Sequence, residues 1–179
     1  MKKILLLSVL AAVLLAGASC QKFGPVETGG NVNFAIQAPV DVVTKSIGDG
    51  ENVNIVYYEI YKAESGHVNS LIGGTPLVDG TVEMSGKEAK LSLNLLEDQN
   101  YVALFWAQVT PAANVKYYDV TDLRNVEALY AGVNSNDEAR AAFCQRFAFN
   151  TSEKVKATVP LVRPFAQLNI GTTLESLNI

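Results

Sequence analysis

The residues that could carry chemistry in this chain are few. Its 179 residues contain one histidine, His67, and two cysteines, Cys20 and Cys144. Zinc and iron–sulfur sites need several His or Cys ligands, so neither is expected. His67 ends the turn-like run Glu64-Ser65-Gly66-His67, away from any nucleophile motif. Cys144 lies among apolar residues, as is typical of a buried thiol, and Arg140 and Arg146 are its only basic neighbours. We therefore predict a non-catalytic protein without metal or cofactor.

Cys20 follows a segment with the three parts of an export signal. Lys2-Lys3 is the charged start, Ile4–Ala16 is apolar, and Gly17-Ala18-Ser19 is a run of small residues. The apolar part has 13 residues, whereas a membrane-spanning helix needs about 20. A signal peptide over residues 1–19 is therefore favoured over a transmembrane helix.

The small residues before Cys20 also indicate how the leader is processed. The pattern resembles the lipobox of bacterial lipoproteins, with Gly17 at the place where that motif usually has Leu. The resemblance implies that the leader is removed and that Cys20 is acylated, with palmitate as one such acyl group. The lipid chains would anchor the protein to a membrane. The alternative is a plain signal peptide with Cys20 as an ordinary thiol.

The charge of the chain excludes one large class of partner. The formal net charge is −4, and it becomes more negative when Lys2-Lys3 leave with the leader. The chain has only four arginines, and its lysines form no basic block. Nucleic-acid-binding domains carry a concentrated positive surface, so nucleic acid is not expected as a partner.

The residues after Cys20 indicate one all-β domain behind a short linker. Residues 20–31 are rich in glycine and predict a flexible tether. From residue 32 onward, short β-branched or alternating runs are separated by turn residues, which is typical of an antiparallel Greek-key β-sandwich. The predicted strands are Val32–Ala38, Asn52–Lys62, Leu77–Glu83, Ala89–Leu95, Tyr101–Val109, Arg146–Asn150, Lys154–Val162 and Phe165–Ile170.

Two further predictions concern how these elements connect. Glu97–Asn100 is a turn sequence, so Leu93 to Ala107 is expected to form a β-hairpin. Ser135 and Glu138 have capping-box spacing, which predicts a helix of about two turns that includes Ala139–Phe143. The domain is assigned to residues 32–179. Its final alternating run leaves open whether a last strand is cut short or the chain is a fragment.

Three local patterns together resemble the fimbrillin-type surface lipoproteins of Gram-negative anaerobes. They are the lipobox Cys20 with its tether, the runs Leu91–Leu95 and Tyr101–Ala107, and the segment Val159–Ile170 with Arg163 before a bend. This family consists of transthyretin-like β-sandwich subunits of pili and related surface proteins. The resemblance implies a lipid-anchored outer-membrane protein that is exposed at the cell surface and serves adhesion or pilus assembly.

The same resemblance suggests a proteolytic site at Lys45-Ser46. Family pilins are often cut after Thr-Arg or Thr-Lys near this place, and this chain has Val43-Thr44-Lys45-Ser46. Loss of Val32–Ala38 would then open a groove that a strand from another subunit fills. An Arg-specific protease would not cut after Lys45. The alternative is a lysine in a polar loop, and exposed loops with a lysine are common.

Tyrosines provide the remaining signal for a ligand. Tyr57-Tyr58 and Tyr117-Tyr118 are adjacent pairs, and neighbouring side chains on a strand point to opposite faces. One tyrosine of each pair could therefore contact a sugar or a protein. The alternative is ring packing on a sheet, which is common for tyrosine. These residues support a second candidate function, a surface glycan-binding lipoprotein accessory to a nutrient uptake system.

Overall fold

The computed structural model describes residues 30–39, 50–129 and 138–164. Over these ranges nine strands form three sheets, and the only helix is one 3₁₀ turn. No helix in the described residues is long and apolar enough to cross a membrane. The elements are β1 (Val32–Gln37), β2 (Ile55–Lys62), β3 (Val78–Glu83), β4 (Glu88–Leu93), β5 (Asn100–Gln108), β6 (Tyr118–Asp119), β7 (Glu127–Ala128), the 3₁₀ helix (Glu138–Arg140), β8 (Ala142–Asn150) and β9 (Val155–Pro160).

The first sheet has the order β4-β1-β9, so β1 is its central strand. β1 pairs antiparallel with β4, from Val32 opposite Leu93 to Gln37 opposite Glu88. It pairs in parallel with β9, whereas the other strand pairs of the two main sheets are antiparallel. The reason is the connection: the chain reaches β9 from a strand of the other sheet rather than through a hairpin from β1.

The second sheet has the order β3-β2-β5-β8 and is antiparallel throughout. Every residue from Tyr101 to Gln108 in β5 is buried. A continuous apolar run of this kind is typical of a central strand that is covered on both faces. In the edge strand β3, partly buried residues alternate with exposed ones, as expected where one face is better covered than the other.

The two sheets pack face to face around one apolar core, which confirms the predicted all-β sandwich. Phe34 of β1 is at its centre, and its ring makes edge contacts with three rings of the second sheet. The centroid distances are 5.5 Å to Phe105, 5.8 Å to Phe147 and 5.3 Å to Phe149. The side chains that β1 buries therefore join the first sheet to the second.

The predicted hairpin from Leu93 to Ala107 is wrong. β4 belongs to the first sheet and β5 to the second, so the turn at Glu97–Asn100 carries the chain from one sheet to the other. Both runs remain strands because each buries apolar side chains in the shared core. The turn residues indicate a reversal of direction, but they do not determine which sheet receives the next strand.

The predicted two-turn helix is also wrong. Only Glu138–Arg140 is helical, as a single 3₁₀ turn, and β8 already begins at Ala142. Phe143 is fully buried in the sandwich core, and its backbone lies opposite Ala107 of β5. Burial of this ring on a sheet face outweighs the helix propensity of the preceding alanines, because propensity differences are small in free energy.

The domain begins before the predicted end of the tether. Gly30 is buried, and the N–H of Gly30 donates to Ser92 Oγ. The side chain of Asn31 exchanges two hydrogen bonds with the backbone of Leu95, at 2.7 and 2.9 Å. The backbone carbonyl of Asn31 also accepts a hydrogen bond from the N–H of Val155. Gly30 and Asn31 are therefore part of the fold, although the sequence assigns both to the tether.

Candidate functional site

The candidate site lies on the outer face of the second sheet, which points away from the core and is partly covered by other residues. Strand alternation places Tyr57, Glu59 and Tyr61 of β2 on this outer face. Neighbouring strands add alternate residues of β5 and β8 beside them. Residues 109–129, which contain β6 and β7, pack over part of the same face. In a sandwich of two sheets alone, this outer face would be exposed to solvent. Here residues 109–129 shield part of it.

An aromatic cluster occupies one half of the outer face. Trp106 is buried at its centre, with its ring centroid 5.0 Å from that of Tyr118. The indole N–H of Trp106 donates to Gln108 Oε1 at 2.9 Å. Tyr57 and Tyr117 are partly buried and pack against this pair. Three of the four tyrosines singled out in the sequence are therefore brought together around the single tryptophan.

The structure separates the two members of each tyrosine pair. Tyr58 faces the sandwich core, packs over Gly80, and has its pKa raised by burial and then by the charge of Asp79. Tyr118 is buried, and its hydroxyl donates to the carbonyl of Arg140 at 2.6 Å. The ring and the hydroxyl of Tyr118 are both used inside the protein, so Tyr117 is the member of this pair that stays a candidate for ligand contact. Tyr57 and Tyr117 keep partly exposed rings.

On the other half of the outer face, the buried side chain of Glu59 binds residues 109–129, the segment that covers this face, to the sheet. Glu59 Oε2 accepts from the Tyr61 hydroxyl at 2.7 Å and from the N–H of Leu123 at 3.1 Å. Burial, and then the hydrogen bond to Glu59, raises the pKa of Tyr61. The Arg124 guanidinium lies over the Tyr61 ring, 5.2 Å from its centroid. Its hydrogen bonds to Asp122 hold the pKa of that carboxyl below its usual range.

A cleft of about 300 Å³ lies between residues 123–126 on one side and strands β5 and β8 on the other. Leu104 and Trp106 form apolar parts of its lining, and two arginines add positive charge. The nine lining residues are Leu104, Phe105, Trp106, Leu123, Arg124, Val126, Cys144, Gln145 and Arg146.

Arg146 is held in place at this cleft. Its Nε donates to the carbonyl of Val68 and its Nη2 to the carbonyl of Ser70. Cys144 is half-buried on the same strand, and burial raises the pKa of its thiol. A raised pKa leaves less of the nucleophilic thiolate at neutral pH, which fits the interpretation of Cys144 as a structural residue.

Sequence reasoning missed Glu59 and Arg146, although each carries a visible signal. Glu59 is the only acidic residue within β2, and Arg146 is the only charged residue within β8. A charge in the middle of an aromatic strand is expensive to bury unless it is paired. Such a residue therefore indicates that another segment covers the strand and supplies partners.

The described residues contain no group of three or more His, Cys, Asp or Glu that could hold a metal ion. His67 is exposed in a turn. Cys20, Lys45 and Ser46 lie outside the described residues. The strand whose loss cleavage at Lys45 would cause is β1, the central strand of the first sheet.

Comparison with known proteins yields one family. No curated protein and no solved structure is significantly similar to the chain. One family model matches residues 25–175, a range that contains both sheets and the outer-face segment. Since this match spans most of the sequence, the chain belongs to the family of unknown function DUF6562.

Proposed function

We propose that this protein is a lipid-anchored surface subunit of the fimbrillin type that serves adhesion or pilus assembly without catalysis. In this account the signal peptide over residues 1–19 is removed and Cys20 carries the lipid in the outer membrane. Cleavage after Lys45 releases β1, and a strand from another subunit replaces it. The partners are the membrane and other copies or relatives of the same subunit.

The observation that carries the proposal is the central position of β1. All six residues of β1 pair with β4 on one side and with β9 on the other. Removal of β1 would therefore leave two unpaired strand edges facing each other across one gap. Edges of this kind are templates for strand addition, in which backbone hydrogen bonds supply affinity.

The core also specifies what an incoming strand must carry. Val32, Phe34 and Ile36 fill the inner side of β1 and are 0 to 2% exposed. Because side chains of a strand alternate in direction, a replacement needs large apolar residues at three alternate positions. Its middle residue would enter the space of Phe34 among three phenylalanine rings. The core would thus select which strand can replace β1, in addition to the affinity that the backbone hydrogen bonds supply.

Electrophoresis of surface material from cells tests this proposal. Strand-exchanged polymers should run as an SDS-resistant ladder that collapses to one band on boiling. Lys45→Ala should abolish the ladder, whereas the matched control Lys62→Ala, an exposed lysine at the end of β2, should keep it. A wild-type protein without a ladder, or an unchanged ladder in Lys45→Ala, would contradict strand addition.

A second candidate function is supported by Tyr57 and Tyr117. Both keep partly exposed rings against the Trp106 cluster, and flat aromatic surfaces suit the apolar faces of sugars. A surface glycan-binding lipoprotein that assists nutrient uptake would use such a surface. Retention in polysaccharide affinity gels, lost in Tyr57→Ala and Tyr117→Ala but kept in Tyr58→Phe, would favour this candidate. Equal mobility with and without polysaccharide would argue against it.

A further inference from the structure

We infer that the outer-face cleft between β5, β8 and residues 123–126 binds a small organic anion, a carboxylate joined to an apolar body. The inference is independent of strand addition, because no residue of β1 lines the cleft. Three chain segments that are distant in sequence line the cleft. Its positive charge and its apolar surface come from different residues.

The charge of the cleft is positive in a chain that is acidic as a whole. None of the lining residues is Asp or Glu, whereas two of the chain's four arginines are among them. Arg146 forms no ion pair within the described residues, and its two hydrogen bonds go to backbone carbonyls. A guanidinium has five N–H donors. Three of them are therefore left for a ligand.

The count of charges favours a monoanion. Arg124 also lines the cleft, but Asp122 holds it in a bidentate ion pair with a shortest distance of 2.8 Å. The nearby carboxylate of Glu59 is occupied by Tyr61 and Leu123 and forms no ion pair with Arg146. Arg146 is then the one positive charge without a counter-ion in the lining. A single carboxylate matches it, and the guanidinium fork fits carboxylate oxygens well.

The rest of the cleft suits an apolar body. Leu104 and Trp106 are 6% and 5% exposed and give the cleft an apolar floor. Leu123 and Val126 are partly buried and line it from the covering segment. The volume of about 300 Å³ is at the lower end of the range for small-molecule sites, which is about 300–1,000 Å³. The bonds to Val68 and Ser70 hold Arg146 before a ligand arrives, so little ordering is required on binding.

Titration of the full-length wild-type protein in detergent with benzoate and with its neutral isostere benzamide tests the site. Trp106 is the only tryptophan, so its fluorescence reports on the cleft directly. Benzoate should give a saturable change, and benzamide should bind at least about tenfold more weakly, since it lacks the charge. Equal affinities, or no saturable change with benzoate, would overturn the inference. Phenyl phosphate binding about tenfold more tightly than benzoate would overturn the assignment to a monoanion.

Variants place the ligand beside Arg146. Arg146→Gln should raise the Kd for benzoate at least about tenfold, whereas the control Lys156→Gln, an exposed lysine on β9, should leave it unchanged. Circular dichroism shows whether Arg146→Gln still folds. If it does not, Val126→Phe keeps both arginines, fills the cleft and should also abolish the benzoate response. Wild-type affinity in either folded variant would exclude this cleft as the site.

Discussion

The hydroxyl of Tyr61 donates a 2.7 Å hydrogen bond to the carboxylate of Glu59, two residues earlier on the same face of β2. The same carboxylate oxygen accepts the N–H of Leu123 at 3.1 Å. Glu59 thereby joins the sheet to the segment that forms one wall of the cleft. A buried carboxylate with two donors is stable in this position, and the same carboxylate without them would be costly.

Replacement of Glu59 should therefore destabilise the protein. In Glu59→Ala the Tyr61 hydroxyl and the Leu123 N–H lose their acceptor, and we expect a loss of about 1–3 kcal/mol in the free energy of unfolding. Urea unfolding followed by Trp106 fluorescence measures it. Glu83→Ala, on the exposed side of edge strand β3, is the matched control and should change stability by less than about 0.5 kcal/mol.

A double-mutant cycle separates this bond from general packing. Tyr61→Phe added to Glu59→Ala should cost less than the sum of the two single changes, because one interaction is lost in both. Strict additivity of the two free-energy losses would show that Glu59 and Tyr61 are not coupled.

Stability should fall in alkaline solution. Burial raises the pKa of Tyr58, Tyr61 and Tyr101 in the folded state. Above the ordinary tyrosine pKa of about 10, the unfolded chain releases protons that the folded chain retains, so the unfolded state gains stability as the pH rises. Below about pH 10 the three contributions are fully present. Phenolate absorbance of native and urea-unfolded protein checks this, and superimposable titration curves would contradict it.

Phe34 should be among the most sensitive core positions. Its ring contacts three phenylalanine rings of the opposite sheet, so Phe34→Ala would leave a cavity at the centre of the sandwich. We expect a loss of about 3–5 kcal/mol. Ala35→Ser, a change to the next residue on the opposite side of β1, should cost much less. Urea midpoints of the two variants that agree within error would show that β1 does not hold the sheets together.

Gly30 should not tolerate a side chain. A Cβ at this position would overlap the carbonyl of Leu93, which is backbone and cannot move aside without displacing β4 from β1. Gly30→Ala should therefore lower the thermal midpoint by several degrees, since a loss of about 1 kcal/mol shifts Tm by about 2–8 °C in domains of this size range. Gly73→Ala adds the same methyl group where no atom lies within 4 Å, and it should leave the midpoint unchanged. Equal midpoints for the two variants would refute the close contact.

The sequence predicts most strands because each carries its own pattern. The alternation of Ala89, Leu91 and Leu93 and the continuous apolar run from Tyr101 identify β4 and β5 without any tertiary information. Their assignment to different sheets depends on which partners bury them, and turn residues do not encode that. The helix predicted before Phe143 fails for a similar reason, because burial of that ring decides the local structure.

The cleft was beyond prediction because its parts are remote in the chain. Trp106, Val126 and Arg146 come from three segments that meet only when residues 123–126 fold over the sheet. The sequence does indicate Tyr57 and Tyr117 as candidates, because each belongs to an adjacent tyrosine pair. The burial of Tyr118 against Trp106 depends on tertiary contacts that its sequence neighbours do not indicate.

Mass spectrometry of the N-terminal peptide of protein sheared from the cell surface tests the central claim most directly. If β1 is removed to admit a strand from another subunit, the surface polymer should contain a chain that begins at Ser46, generated from an anchored precursor with acylated Cys20. Assembled surface material in which every chain begins at acylated Cys20 would contradict strand replacement.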